Sequence, residues 1–216
     1  MKINHSLRNK GLTLIELLIV MAISGIIMTS IYSAFKSQQD SYLAQDQVAE
    51  MQQNIRAGLY IMTSDIRMAG YDPSNTGNYG VESATGSKFV FTADLNDDGG
   101  AVGSGERLTY ELYTPGGGSA LRRIAGQSAV AENIEKIEFY YTLEDDTQTT
   151  TPTAAQLGSI RSVEISILAI TSRSDRNFTN SQTYTSASGV DWTPASPDNF
   201  RRRFQTLTVK CRNMGL

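Results

Sequence analysis

Residues 11–35 read GLTLIELLIVMAISGIIMTSIYSAF, a run of 25 residues whose only formal charge is Glu16. At about 1.5 Å per residue this run makes a helix about 38 Å long, enough to cross a hydrocarbon core of about 30 Å. Residues 1–11 (MKINHSLRNKG) carry Lys2, Arg8 and Lys10 and no acid. Cations ahead of an apolar span place the N-terminus in the cytoplasm and the rest of the chain across the membrane. A removable secretory signal would end at a small-residue site followed by a soluble start, but here the helical pattern continues. Glu16 then needs an explanation, because a carboxylate in hydrocarbon either stays hydrated near the interface or meets a cation.

Beyond the apolar run, Val48, Met51, Ile55, Leu59, Met62 and Ile66 recur in steps of 3, 4, 4, 3 and 4, with Gln47, Glu50, Gln52, Gln53, Asn54, Arg56 and Asp65 on the other faces. That spacing makes an amphipathic helical stripe. Gly70 and Pro73 end it. A single helix over 12–69 is therefore expected, about 87 Å long. Residues 12–35 would form its membrane or filament-core half, and residues 36–70 its amphipathic half.

Residues 70–126 hold 12 of the 18 glycines, so turns dominate there. Strand patterns interrupt them at 88–92, 107–113 and 120–125, followed by longer ones at 134–143 and 160–171 and a terminal one at 204–212. The expected architecture is α+β: a long N-terminal transmembrane and amphipathic helix packed against an antiparallel β-sheet head over 71–216.

Composition narrows the function. The chain has 216 residues, 40% apolar, with 19 basic and 22 acidic side chains for a net charge of −3. That balance argues against nucleic acid as a partner. One cysteine, Cys211, and one histidine, His5, exclude an intramolecular disulfide and a Cys₂His₂ zinc site by count, and leave almost no supply of imidazole for catalysis of the Ser-His-Asp kind. No nucleophile–base pair or phosphate loop stands out; Gly116-Gly117-Gly118 after Pro115 reads as a hairpin turn, so no enzyme is expected. Cys211, on one strand face with Leu207 and Val209, reads as a buried reduced thiol, with an intermolecular disulfide as the alternative. The 18 aromatics, with Phe139, Tyr140 and Tyr141 inside a strand, read as sheet core rather than as an electron path.

The string Lys10-Gly11-Leu12-Thr13-Leu14-Ile15-Glu16-Leu17-Leu18 resembles the prepilin cleavage and methylation motif of type IV pilins and type II secretion pseudopilins. The resemblance implies that a prepilin peptidase cuts between Gly11 and Leu12 and N-methylates Leu12, which stands where phenylalanine is commonest. It also implies that Glu16, fifth in the mature chain, pairs with the N-terminal amine of a neighbouring subunit and sets the register of assembly. Cleavage removes three cations and leaves 16 basic and 22 acidic residues, a net −6. The head resembles, more loosely, the large minor pilins called PilW. The shared features are the Asp94-Leu95-Asn96-Asp97-Asp98-Gly99 loop, the strand after Ile160, and an ending in Arg202-Arg203 with Arg212-Asn213.

These resemblances imply a single-pass inner-membrane subunit with a periplasmic or extracellular head, incorporated into a filament. Its partners would be the peptidase, other pilin subunits, an inner-membrane assembly platform and lipid. The implied role is a minor pilin that initiates or caps a type IV pilus. A type II secretion pseudopilin of the J class, and a pilus-presented adhesin or calcium-dependent binding module, stay open as alternatives.

Two further groups are candidates. Asp94, Asn96 and Asp98 with Gly99 fit the first half of the calcium-loop pattern D-x-[DN]-x-[DN]-G. The bidentate acid belongs at position 105, which is Gly105; Glu106 sits one residue late, so the alternative is a solvated acidic turn. No cofactor is required by this reading, and Ca²⁺ is the one candidate. Arg201, Arg202 and Arg203 form the dense basic run and read either as a locally paired face or as a contact to acidic neighbouring subunits.

Overall fold

The structure, a computed structural model, describes residues 11–77, 79–99, 102–103, 105–114, 119–123 and 128–215. The leader before Gly11, the glycine turn at 116–118 and the end of the third expected strand at 124–125 lie outside them.

Helix α1 runs from Leu14–Arg67, two residues inside the expected bounds at each end. Its first intrahelical bond, Leu17 N–H to Thr13 carbonyl, makes Thr13 the cap. At the other end the turn tightens, with Met68 and Ala69 donating three residues back to Asp65 and Ile66, and Asn213 donates to the Arg67 carbonyl at 3.1 Å. Gly70 follows at φ +75°, and a Cβ there would stand 2.7 Å from Met214 Sδ, so both conformation and space demand glycine.

The chain divides into two compact units, one ending at Gln45 and one beginning at Asp46. In the first, every side chain from residue 11 to 43 is exposed. In the second, α1 buries Met51, Ile55, Leu59, Met62 and Ile66, the stripe read from the sequence, together with Gly58. A Cβ on Gly58 would lie 3.0 Å from Ala131 Cβ, so the missing side chain lets a strand come close to the helix.

The strands are β1 (Val81–Ala84), β2 (Lys88–Thr92), β3 (Arg107–Tyr113), β4 (Ala120–Arg123), β5 (Ser128–Glu132), β6 (Ile134–Leu143), β7 (Gln148–Thr149), β8 (Ile160–Ile170), β9 (Tyr184–Thr185), β10 (Asp191–Trp192) and β11 (Arg202–Lys210). Three of the expected strands coincide with β2, β3 and β6, and the terminal one starts two residues early. Strands β1 and β5 carried no readable signal: they are short, and their sequences VESA and SAVAE lack the β-branched and aromatic density that marks strands.

The head holds two main antiparallel sheets, β1-β2-β3-β4-β5 and β11-β8-β6-β7, with a small β10-β9 ribbon. Between β5 and β6 stands Asn133, at φ +56°, which asparagine tolerates better than most residues. The chain thus leaves one sheet and enters the other across a single residue. On the inner face of the second sheet, Phe139 pairs with Ile165 and Tyr141 with Val163, while Val163 also faces Val209. Glu138 and Ser166, buried on the same sheet, are satisfied by the following loop: Ser188 bonds Glu138 at 2.8 Å, and Ala187 N–H bonds Ser166 Oγ at 3.0 Å.

One apolar core joins α1 to both sheets. Its centre is aromatic: Phe89 of β2 meets Phe91, Phe139 and Tyr141 at centroid distances of 5.1, 5.9 and 5.4 Å. Asp65 on the helix accepts from Tyr110 Oη and Arg123 Nε, both at 2.5 Å, tying α1 to β3 and β4.

Cys211, just past β11, is buried in this core, and burial pushes its thiol up to about 12. A thiol that is neither exposed nor ionised does not react. The folded protein is therefore expected to resist a thiol-directed alkylating reagent and to take up one equivalent only after denaturation. Labelling at the denatured rate under native conditions would contradict the placement.

Candidate functional site

Gly11 and Leu12 precede the helix in non-helical backbone, and Leu12 is 80% exposed. Among the described residues nothing lies within 4 Å of where a Gly11 Cβ would stand. The fold itself therefore places no demand for glycine at this position. Five residues on, Glu16 Oε2 accepts from both the backbone N–H and the hydroxyl of Thr13 at 2.8 Å, while Glu16 N–H donates to Thr13 Oγ1 at 3.4 Å. This is a reciprocal capping box, whose signal in the sequence is Thr-x-x-Glu before an apolar run.

The capped segment opens onto a surface of Leu14, Ile15, Leu17, Leu18, Ile19 and Val20, all exposed. The helix is long and apolar enough to cross a membrane. Two of its polar side chains there are internally satisfied: Thr29 and Ser30 hydroxyls donate to the carbonyls of Gly25 and Ile26 at 2.8 and 3.0 Å. That back-bonding removes the donors that would be most costly in hydrocarbon.

The acidic loop lies between β2 and β3. The structure brings Asp94, Asp98 and Glu106 together, one carboxylate oxygen of each lying within 4.8 Å of the others. Asn96 stays in the turn, where its carbonyl oxygen accepts from Asp98 N–H and its amide donates to Asp98 Oδ2, both at 2.9 Å. Glu106 joins from the opposite strand: Ala93 N–H bonds the Glu106 carbonyl at 3.0 Å, which closes the hairpin and brings its acid back beside Asp94.

The arginine run is split. Arg201 pairs with Asp175 at 2.7 Å and lies 4.2 Å over the Phe178 ring. Arg202 bonds Glu135 at 2.5 Å and Asp198 at 2.7 Å with its side chain 3% exposed. Arg203 is exposed and makes no ion pair among the described residues. Two of the three guanidinium groups are thus committed inside the head, which leaves Arg203 as the member of the run presented outward. Arg201 also holds the Asp175 carboxyl below its ordinary value, aided by the Asn177 N–H.

Two families have models that match this chain. One, described as the prokaryotic N-terminal methylation motif, covers residues 6–32. The other, described as type IV pilus-assembly protein W, covers residues 101–213, over half of the chain. Among solved structures, a type IV-like pilin from Thermus thermophilus aligns at 13% identity and a TM-score of 0.46, covering 76% of this chain and 98% of that one. No curated protein matches.

Proposed function

The chain belongs to the type IV pilus-assembly protein W family, and from that premise we propose that it is a minor pilin that helps initiate or cap assembly of a type IV pilus. A prepilin peptidase cuts between Gly11 and Leu12 and methylates the new amine. The residues after the cut hold the subunit in the inner membrane, N-terminus cytoplasmic, until an assembly platform passes it to neighbouring pilin subunits. The head then faces the periplasm or the exterior. A head of about 145 residues is large for a subunit repeated along a filament, which supports a low-copy position.

The observation that carries this reading is the apolar helix surface from Leu14 to Phe35, exposed throughout and headed by one capped carboxylate. So much unburied apolar surface requires lipid or other helices. The open space at Gly11 adds to it, because a glycine that the fold does not need is accounted for by a peptidase subsite.

The test is intact mass and N-terminal sequencing of membrane-extracted protein, beside a Gly11→Ala chain. The expected product starts at N-methylated Leu12, and Gly11→Ala is expected to leave the leader on. A full-length N-terminus in the unaltered protein would make this a simply anchored membrane protein and end the pilin reading. The low-copy position has its own check: abundance in purified filaments equal to that of the main filament subunit would refute it.

A further inference from the structure

We propose that the β2–β3 loop is a calcium site in which Asp94, Asp98 and Glu106 supply the side-chain oxygens, a property independent of the role in assembly.

Three observations converge on it. The first is the loop's shape. Asp97 and Gly99 take φ of +57° and +60°, and the Gly99 N–H turns back to donate to Asp94 Oδ2 at 3.2 Å, so the chain wraps around the first acid of the motif. A Cβ on Gly99 would stand 2.5 Å from Ser74 Oγ, so only glycine permits this turn against the segment after the helix. Asp94 is fixed from the same side, its N–H bonding the Tyr71 carbonyl at 2.9 Å.

The second is burial without satisfaction. Asp94 is 0% and Glu106 1% exposed, yet Asp94 Oδ1 and Glu106 Oε1 have no hydrogen-bond partner among the described residues. Their other oxygens are used, Asp94 Oδ2 by Gly99 and Glu106 Oε2 by the Gly103 N–H and, at 3.5 Å, the Tyr79 hydroxyl. Neither acid forms an ion pair among the described residues. Buried carboxylate oxygens left without donors are costly, and crowding like charges adds to the cost. A divalent cation removes both penalties at once.

The third is the ligand chemistry and span. All three groups are hard oxygen donors, with no sulfur or imidazole in the cluster, which selects calcium or magnesium over the transition metals. Oxygens within 4.8 Å of one another are close enough to share a single cation. The loop supplies three carboxylates on a bent hairpin rather than a rigid octahedron, and calcium tolerates irregular coordination completed by backbone oxygens and water where magnesium does not.

The experiment uses the detergent-solubilised full chain. Terbium is titrated with excitation of tyrosine, since Tyr79 borders the site, and the emission is then competed with calcium or magnesium; thermal unfolding is followed in parallel. Calcium is expected to displace terbium and raise Tm, with an apparent Kd of about 10⁻⁴–10⁻³ M, the range of extracellular modules. Glu106→Gln is buried and risks the fold, so the exposed Asp98 provides the cleaner variant. Asp98→Asn is expected to fold and to weaken calcium binding by about tenfold or more, and Glu50→Gln, on the helix away from the loop, to leave it unchanged. No displacement and no Tm shift with calcium raised about tenfold above that range would overturn the proposal. Equal competition by magnesium would overturn the calcium assignment, and an unchanged Kd in Asp98→Asn would remove the site from this loop.

Discussion

A Glu16→Gln chain is expected to be cleaved and inserted normally and yet to be at least about tenfold depleted from purified filaments, as read by immunoblot against the main subunit. The variant separates two jobs that Glu16 holds. The first is local: its carboxylate caps the helix through the Thr13 N–H and hydroxyl. Glutamine at this position keeps a capping box, since its amide oxygen accepts the same bonds. The second is the charge, which in the proposed assembly meets the methylated amine of Leu12 on a neighbour. Two opposite charges that are each disfavoured in an apolar bundle compensate one another only when the subunits dock in register. Cleavage between Gly11 and Leu12 leaves Thr13 as the second residue, so its N–H survives and the cap persists in the mature chain. Glu16→Ala removes both jobs and cannot tell them apart. Glu16→Gln at wild-type abundance in filaments would assign Glu16 to capping alone.

Arg202→Ala is expected to destabilise the head by about 3–5 kcal/mol, the cost of breaking a buried ion network from one side. The side chain is 3% exposed and donates to two carboxylates, Glu135 of β6 and Asp198 in the loop before β11. Its Nε and Nη atoms reach both acids in a fork that lysine does not reproduce. Truncation leaves Glu135 and Asp198 facing one another across a half-buried gap without a cation. For a domain of this size the loss corresponds to a fall in Tm of roughly 6–20 °C. A change under about 1 kcal/mol would mean that solvent already screens the network. The network also carries a pH dependence. The Arg202 hydrogen bonds hold the Asp198 carboxyl below its ordinary value of 3.8. A depressed native carboxylate stabilises the fold fully above that ordinary value, and the contribution is lost as pH falls through the lower native one. The acid limb of the stability curve should therefore flatten in Arg202→Ala, a result that chemical denaturation between neutral and strongly acidic pH reads directly.

The cap at Thr13 and Glu16 and the network at Arg202 differ in how far they were written along the chain. Thr-x-x-Glu is a signal four residues long, legible in principle and overlooked beside the louder apolar run. The partners of Arg202 lie 67 and 4 residues away, and nothing local marks Glu135 as one of them. Glu106 shows the same limit in the loop. By linear spacing it falls one residue late for a calcium loop, and the hairpin register, not the spacing, returns it to Asp94.

Periodicity therefore determined what depends on one segment and its solvent. The apolar 11–35 run, the stripe Met51-Ile55-Leu59-Met62-Ile66 and the strands at 88–92, 107–113 and 134–143 were legible because each element buries one face whatever lies opposite. Tertiary structure alone decided the rest: that the strands divide into two sheets at Asn133, that β5 fits against α1 over Gly58, and that Arg201 and Arg202 turn inward to acids. Those outcomes depend on which distant surfaces meet, and side-chain pattern along the chain specifies a face without naming its partner.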